Sequence, residues 1–174
     1  MNRLLSLSLT FILCSAIAGA APAQTASVAP SGSTTTFSIF NVKVEVKPPA
    51  GWKRQEGTRV FVDPGVDNAR FTFEAGPMDL PDKTLRILNE SAFDQGKDRV
   101  KVGELSSCEM MEVGGLDGVL TIEASKNPSQ RRMVWVTHAR AHYMSFTFTA
   151  PTPVFEKYLP AFRGILASVR FLAP

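Results

Sequence analysis

Histidine and cysteine are scarce in this 174-residue chain, two of each, and the scarcity limits its chemistry more than anything it contains. Cys14 sits in an apolar run at the N-terminus, so Cys108 stands alone once that run is removed. No disulfide can then form within the chain, and the fold must be held by its apolar core. The segment Ser106-Ser107-Cys108-Glu109-Met110 supplies no base to activate a thiol, which makes Cys108 a half-buried structural residue. There is no C-x-x-C, no H-E-x-x-H and no acidic calcium loop. A G-x-S-x-G nucleophile turn is missing as well. The glycines of Gly114-Gly115-Leu116-Asp117-Gly118 lie between strands rather than leading from a strand into a helix, so they are no phosphate cradle. Carboxylate pairs such as Glu109 and Glu112 carry no mark of burial. Together these gaps predict a protein that is not an enzyme and has no cofactor.

Concentrated charge is also lacking. The 19 Lys and Arg exceed the 16 Asp and Glu by three, and Arg3 belongs to the leader, which leaves a surplus of two. These basic residues are dispersed, with Lys53-Arg54 and Arg131-Arg132 as the adjacent pairs. That spread argues against a nucleic-acid partner. Long apolar runs are confined to the start. Met1-Asn2-Arg3 is followed by an apolar stretch over 4–17 and by the small-x-small sites Ala18-Gly19-Ala20 and Ala21-Pro22-Ala23. The stretch is too short to span a bilayer, so residues 1–23 read as a cleavable signal peptide. Phe11-Ile12-Leu13 ahead of Cys14 are too large for a lipid-attachment site. A soluble periplasmic product is expected, beginning at Gln24 or Ala21 and without a transmembrane segment. Residues 24–36 are small and polar and read as a flexible linker; 37–174 form one domain.

Within that domain Val42, Val44 and Val46 alternate with charged residues as in a half-buried strand, and Pro48-Pro49 stop it. Short strands are predicted over 59–63 and 69–75, then a helix from Asp82 to about Gln95 with Gly96 as its stop. Strand material follows from Val100 to Val113, with a break near Gly103, and a further strand covers 119–123. The closing segment places Phe155, Tyr158, Leu159, Phe162, Ile165, Leu166 and Val169 at helical spacing, interrupted by Pro160. Between these lies a hairpin of strands over 132–138 and 142–149, joined by Ala139-Arg140-Ala141. If His138 faces His142 across it, Val136 faces Met144 and Val134 faces Phe146 on one side, with Met133, Trp135 and Tyr143 on the other. Both sides are apolar, so the hairpin should be central in a sheet covered on both faces. In this pairing the two imidazoles would lie about 5 Å apart, close enough to share one metal ion, though no third ligand is evident in sequence.

The strand ending in Pro49-Ala50-Gly51-Trp52, the turn Gly115-Leu116-Asp117-Gly118, and the stretch from Tyr143 to Pro151 before a last helix ending in Ile165-Leu166-Ala167-Ser168-Val169-Arg170-Phe171 form a combination. It resembles the PsbP-like family, with its Mog and DcrB-type bacterial relatives, over roughly 37–172. The resemblance implies an α+β fold, an α/β/α sandwich with a central antiparallel sheet flanked by helices. It also implies a mostly non-catalytic role, since members include extrinsic photosystem subunits, small-GTPase binders, periplasmic proteins and secretion chaperones. No residue set shared by those members is carried onto this chain. The expected function is a non-catalytic exported accessory or binding protein that docks on a periplasmic protein or envelope component. The alternative is a small-ligand or metal-binding protein with its site near His138 and His142.

Overall fold

A computed structural model describes residues 32–126 and 129–172. The expected signal peptide and most of the expected linker lie outside the described residues.

Among the described residues, ten strands and two helices follow in order. They are β1 (Thr35–Ile39), β2 (Val42–Val46), β3 (Lys53–Arg54), β4 (Val60–Val62), β5 (Arg70–Pro77), α1 (Asp82–Lys101), β6 (Leu105–Val113), β7 (Leu116–Glu123), β8 (Gln130–Ala139), β9 (His142–Pro151), α2 (Phe155–Ser168) and β10 (Arg170–Leu172). A 3-10 turn at Thr152–Val154 leads into α2. Strand β1 begins two residues ahead of the expected domain start, so Thr35 and Thr36 belong to the folded unit. All pairing is antiparallel. A seven-stranded sheet runs β3-β4-β5-β9-β8-β7-β6, and a three-stranded sheet runs β1-β2-β10. Helix α1 packs on β6, β7 and β8, while α2 packs on β9 and β2. The fold class is therefore the expected α+β arrangement around a central antiparallel sheet, with β8 and β9 in its middle.

Alternation along β9 shows how the sequence sorts its faces. Met144, Phe146, Phe148 and Ala150 are buried on the α2 side, and Tyr143, Ser145, Thr147 and Thr149 alternate with them toward the α1 side. Across the α2-side face Phe61, Phe71 and Phe148 form one cross-strand row, and Phe73, Phe146 and Trp135 another. Ring centroids are 4.9 Å apart for Phe61–Phe71 and again for Phe73–Phe146. Contacts of this kind add about 0.5–1.5 kcal/mol each beyond the area they bury. Phe162 of α2 closes the layer at 4.9 Å from Phe148, and Trp52 packs on both Phe71 and Phe162. The indole Nε1–H of Trp135 donates to the carbonyl of Met111 at 3.0 Å, so the largest core side chain leaves no polar atom unpaired.

The central hairpin departs from the expected register by one residue. Ala139 pairs with His142, His138 with Tyr143, and Trp135 with Phe146. Its loop is the two residues Arg140 and Ala141, both left-handed at φ 52° and 57°. A two-residue loop of this type matches the strand twist, and shortening the loop by one residue moves one strand's side chains to the other face. Met133 and Trp135 therefore join Phe146 and Phe148 in the core, and Val134 lies half-buried on the α1 side.

Helix α1 also runs beyond its expected end. Gly96 is a buried interior position rather than a stop, and the helix is led in by Pro81, with no side-chain cap from Asp82. A Cβ at Gly96 would stand 2.3 Å from Sγ of Cys108, so the missing side chain lets α1 lie directly on β6. The chain turns at Gly103, φ 70°, before β6 starts at Leu105.

Candidate functional site

The two histidines occupy opposite faces of the sheet, which removes the shared metal site expected from the other register. On the α1 side, Nδ1 of His138 meets Oδ1 of Asn89 at 2.9 Å, and the ring lies 5.6 Å from that of Tyr143. Asn89 reaches from α1 with its side chain buried. Its Nδ2 donates to the carbonyls of Asp117 and His138, at 3.3 and 3.2 Å, and its Oδ1 accepts from the backbone N–H of His138 at 2.8 Å. These partners fix the amide orientation, so Nδ1 of His138 is the donor of its bond. Burial pushes the His138 pKa down from its ordinary value, favouring the neutral ring. His142 points to the other face, where Nε2 stands 2.8 Å from the carbonyl of Phe40 and Nδ1 2.6 Å from that of Arg140. It ties the tip of the β1–β2 hairpin to the tip of the β8–β9 hairpin. Beside it is an apolar pocket of about 150 Å³, lined by Val42, Met144 and Phe171 and without His138. Among the described residues no group of three or more His, Cys, Asp or Glu side chains is placed to hold a metal ion.

Other reactive side chains are engaged in holding the fold. Cys108 is free and half-buried, its thiol 3.7 Å from the carbonyl of Phe93, and burial pushes its pKa up and away from the thiolate. Tyr158 donates to Oδ2 of Asp63 at 2.5 Å, and burial together with that carboxylate raises its pKa. Arg131 is 6% exposed, lies over the ring of Phe155 at 4.5 Å, and donates to the carbonyl of Glu123 and the carboxylate of Glu156. It clamps the start of α2 to the sheet.

Open concave surface lies on the α1 side. Because α1 covers β6, β7 and β8, the floor beyond it is made by β9 and β5, whose outward residues are Tyr143, Thr147 and Thr72 with exposed Glu74. A groove of about 320 Å³ runs beside α1 past Gln95, Thr121, Val134, Val136 and Tyr143. It adjoins a second cleft of about 370 Å³, with which it shares Arg99, Glu123 and Arg132. The second cleft also takes in Arg70, Lys126, Glu104 and Thr149, so four cationic side chains meet two carboxylates. Arg132 pairs with Glu123 at 2.5 Å and Arg99 with Glu104 at 3.0 Å. Lys126 donates to the carbonyl of Val102 at 3.5 Å. Sequence reasoning read these cations as dispersed, because only the strand order brings Arg70 and Arg132 together.

The exposed large apolar residues among those described are Phe40, Leu80, Ile87, Val102 and Met110. They come from a hairpin tip, the loop before α1, α1, the residue after it and β6, and no single element presents them as a stripe. Among the described residues no helix is long and apolar enough to cross a membrane.

No family model and no curated protein sequence matches this chain. Among solved structures it is similar to the solution structure of cyanobacterial PsbP (CyanoP) from Synechocystis sp. PCC 6803. The two share 13% identity at a TM-score of 0.49, over 81% of this chain and 94% of that one. It is also similar to a protein of known crystal structure from Bacteroides thetaiotaomicron VPI-5482, with 16% identity and a TM-score of 0.47. That match covers 74% of this chain and 45% of the other, so this chain spans less than half of that protein.

Proposed function

We propose that this chain is an exported, non-catalytic binding protein that docks on a periplasmic or envelope component through the α1-side groove of its sheet. The supporting observation is the pair of adjoining clefts on that face, which share Arg99, Glu123 and Arg132. Elsewhere the side chains that could perform chemistry are tied into the fold: His138 by Asn89, His142 by two carbonyls, Tyr158 by Asp63. Export rests on the leader pattern of residues 1–23. Kinship with the PsbP-like proteins, Mog and DcrB-type relatives included, rests on the Pro49-Ala50-Gly51-Trp52 and Gly115-Leu116-Asp117-Gly118 punctuation and on the final strand and helix.

The test is site-specific photo-crosslinking in the periplasm. A photoreactive residue at Thr147, opposite the groove residue Val134 on the same face of the sheet, should give a covalent adduct with one envelope protein. The same residue at Lys157 on α2 should give none. Adducts from Lys157 alone would overturn the docking face, and an intact mass retaining Met1 would overturn export.

A further inference from the structure

The end of the groove carries an arrangement that generic docking does not explain. Arg70 of β5 pairs with Thr149 of β9, and Thr149 pairs with Arg132 of β8. Residues directly opposite one another share a face, so the two arginines flank the threonine on the α1 side of the sheet, their Cα atoms about 10 Å apart. Arg132 is oriented by Glu123, which accepts from its backbone N–H and from its guanidinium, and Arg99 is oriented by Glu104. Arg70 differs. Its guanidinium forms no hydrogen bond or ion pair among the described residues, although it lines the cleft. The carboxylate of nearby Asp63 is taken by Tyr158 and by the backbone N–H of Gly65. Four cationic side chains against two carboxylates leave the cleft with an excess of two positive charges.

We propose that this cleft is an oxyanion site, in which Arg70 and Arg132 converge over Thr149 on a phosphate-type group and Arg99 and Lys126 close its rim. Guanidinium forks match the paired oxygens of phosphate and carboxylate, and two forks held on the strands either side of β9 can grip a multiply charged anion from both sides. A volume of about 370 Å³ admits a small phosphorylated molecule or a single lipid headgroup rather than a polymer. Paired strands fix the backbones of both arginines and Glu123 holds the Arg132 guanidinium, so Arg70 is the side chain that is ordered when the anion arrives. The site deepens the docking reading and rests on the same cleft, yet its test is separate.

Pyrophosphate titrated into the purified chain should give saturable amide shifts at Arg70, Thr149 and Arg132, weakening as salt is raised. Arg70→Gln should lower the affinity about tenfold or more while leaving the melting temperature unchanged, since Arg70 has no internal partner to lose. Lys157→Gln, an equal loss of charge on α2, should leave the affinity unchanged. Vesicles containing phosphatidylglycerol, compared with phosphatidylcholine alone, identify the source of the phosphate. Arg70-dependent co-sedimentation with the anionic vesicles assigns a headgroup, and pyrophosphate shifts without it assign a soluble ligand. The proposal is overturned if neither probe shows binding that depends on Arg70. Crosslinking from Thr147 that persists in that case leaves docking standing; anion binding without crosslinks removes docking alone.

Discussion

At His138 a single ring nitrogen reports on how α1 is held to the sheet. Nδ1 donates to Asn89, whose amide also serves the backbone of His138 and Asp117. Protonating the ring would put a charge where burial disfavours it, and the pKa is accordingly lowered from 6.5. The unfolded chain therefore binds the proton more readily than the folded one. The stability that follows is fully present above about pH 6.5 and is lost as pH falls from there through the lowered folded value. We expect the urea midpoint to drop between neutral pH and about pH 5, and His138→Gln to flatten that slope. Equal slopes in the two proteins would show that His138 is not the group responsible. Neither the lowered pKa nor its partner was legible in sequence. Asn89 is a polar residue on a helix, its burial depends on β8 lying beneath it, and nothing in the spacing of 89 and 138 announces the contact.

Three hairpins turn on two left-handed residues each: Phe40-Asn41, Gly114-Gly115 and Arg140-Ala141. The sequence marks them unequally. Paired glycines announce the second, and an asparagine half-announces the first. Nothing announces the third, whose two residues rarely adopt positive φ. That is why the strands of the central hairpin were legible while its register was not. A register shifted by one residue puts the histidines on one face and turns Trp135 away from Phe146. The oxyanion cleft was hidden for the same reason, because the Arg70–Thr149–Arg132 row exists only once strand order and register are both known. The strain at this turn is testable. Arg140→Asn with Ala141→Gly keeps the backbone carbonyl that faces His142 and replaces two disfavoured residues with ones suited to the turn. Stability should rise by about 1 kcal/mol, measured by chemical denaturation. A loss of stability would mean that the loop does not adopt this geometry in solution.

Over the whole molecule, the small sheet joins the beginning of the described chain to its end. Strand β2 pairs with β1 on one side and with β10 on the other, so the last strand is the partner that covers β2's second edge. Alternation makes β2 readable, but the sequence pattern runs β10 into the final helix, because three residues give no period and Phe171 continues an apolar spacing. Phe171 lies 6.4 Å from Trp135, and a Cβ at Gly114 would come within 2.9 Å of its ring, so β10 also packs on the β6–β7 turn. Ending the chain after Val169 removes this contact and exposes a row of unpaired β2 backbone groups. We expect a stability loss of about 2–4 kcal/mol by denaturant unfolding, together with concentration-dependent association seen by light scattering. Phe171→Ala separates the two effects. It should lower stability by part of that amount while the protein stays monomeric, since the β2 edge remains paired. Unfolding of the truncated chain at the same denaturant concentration as the full chain would show that the fold does not depend on closure of its two ends.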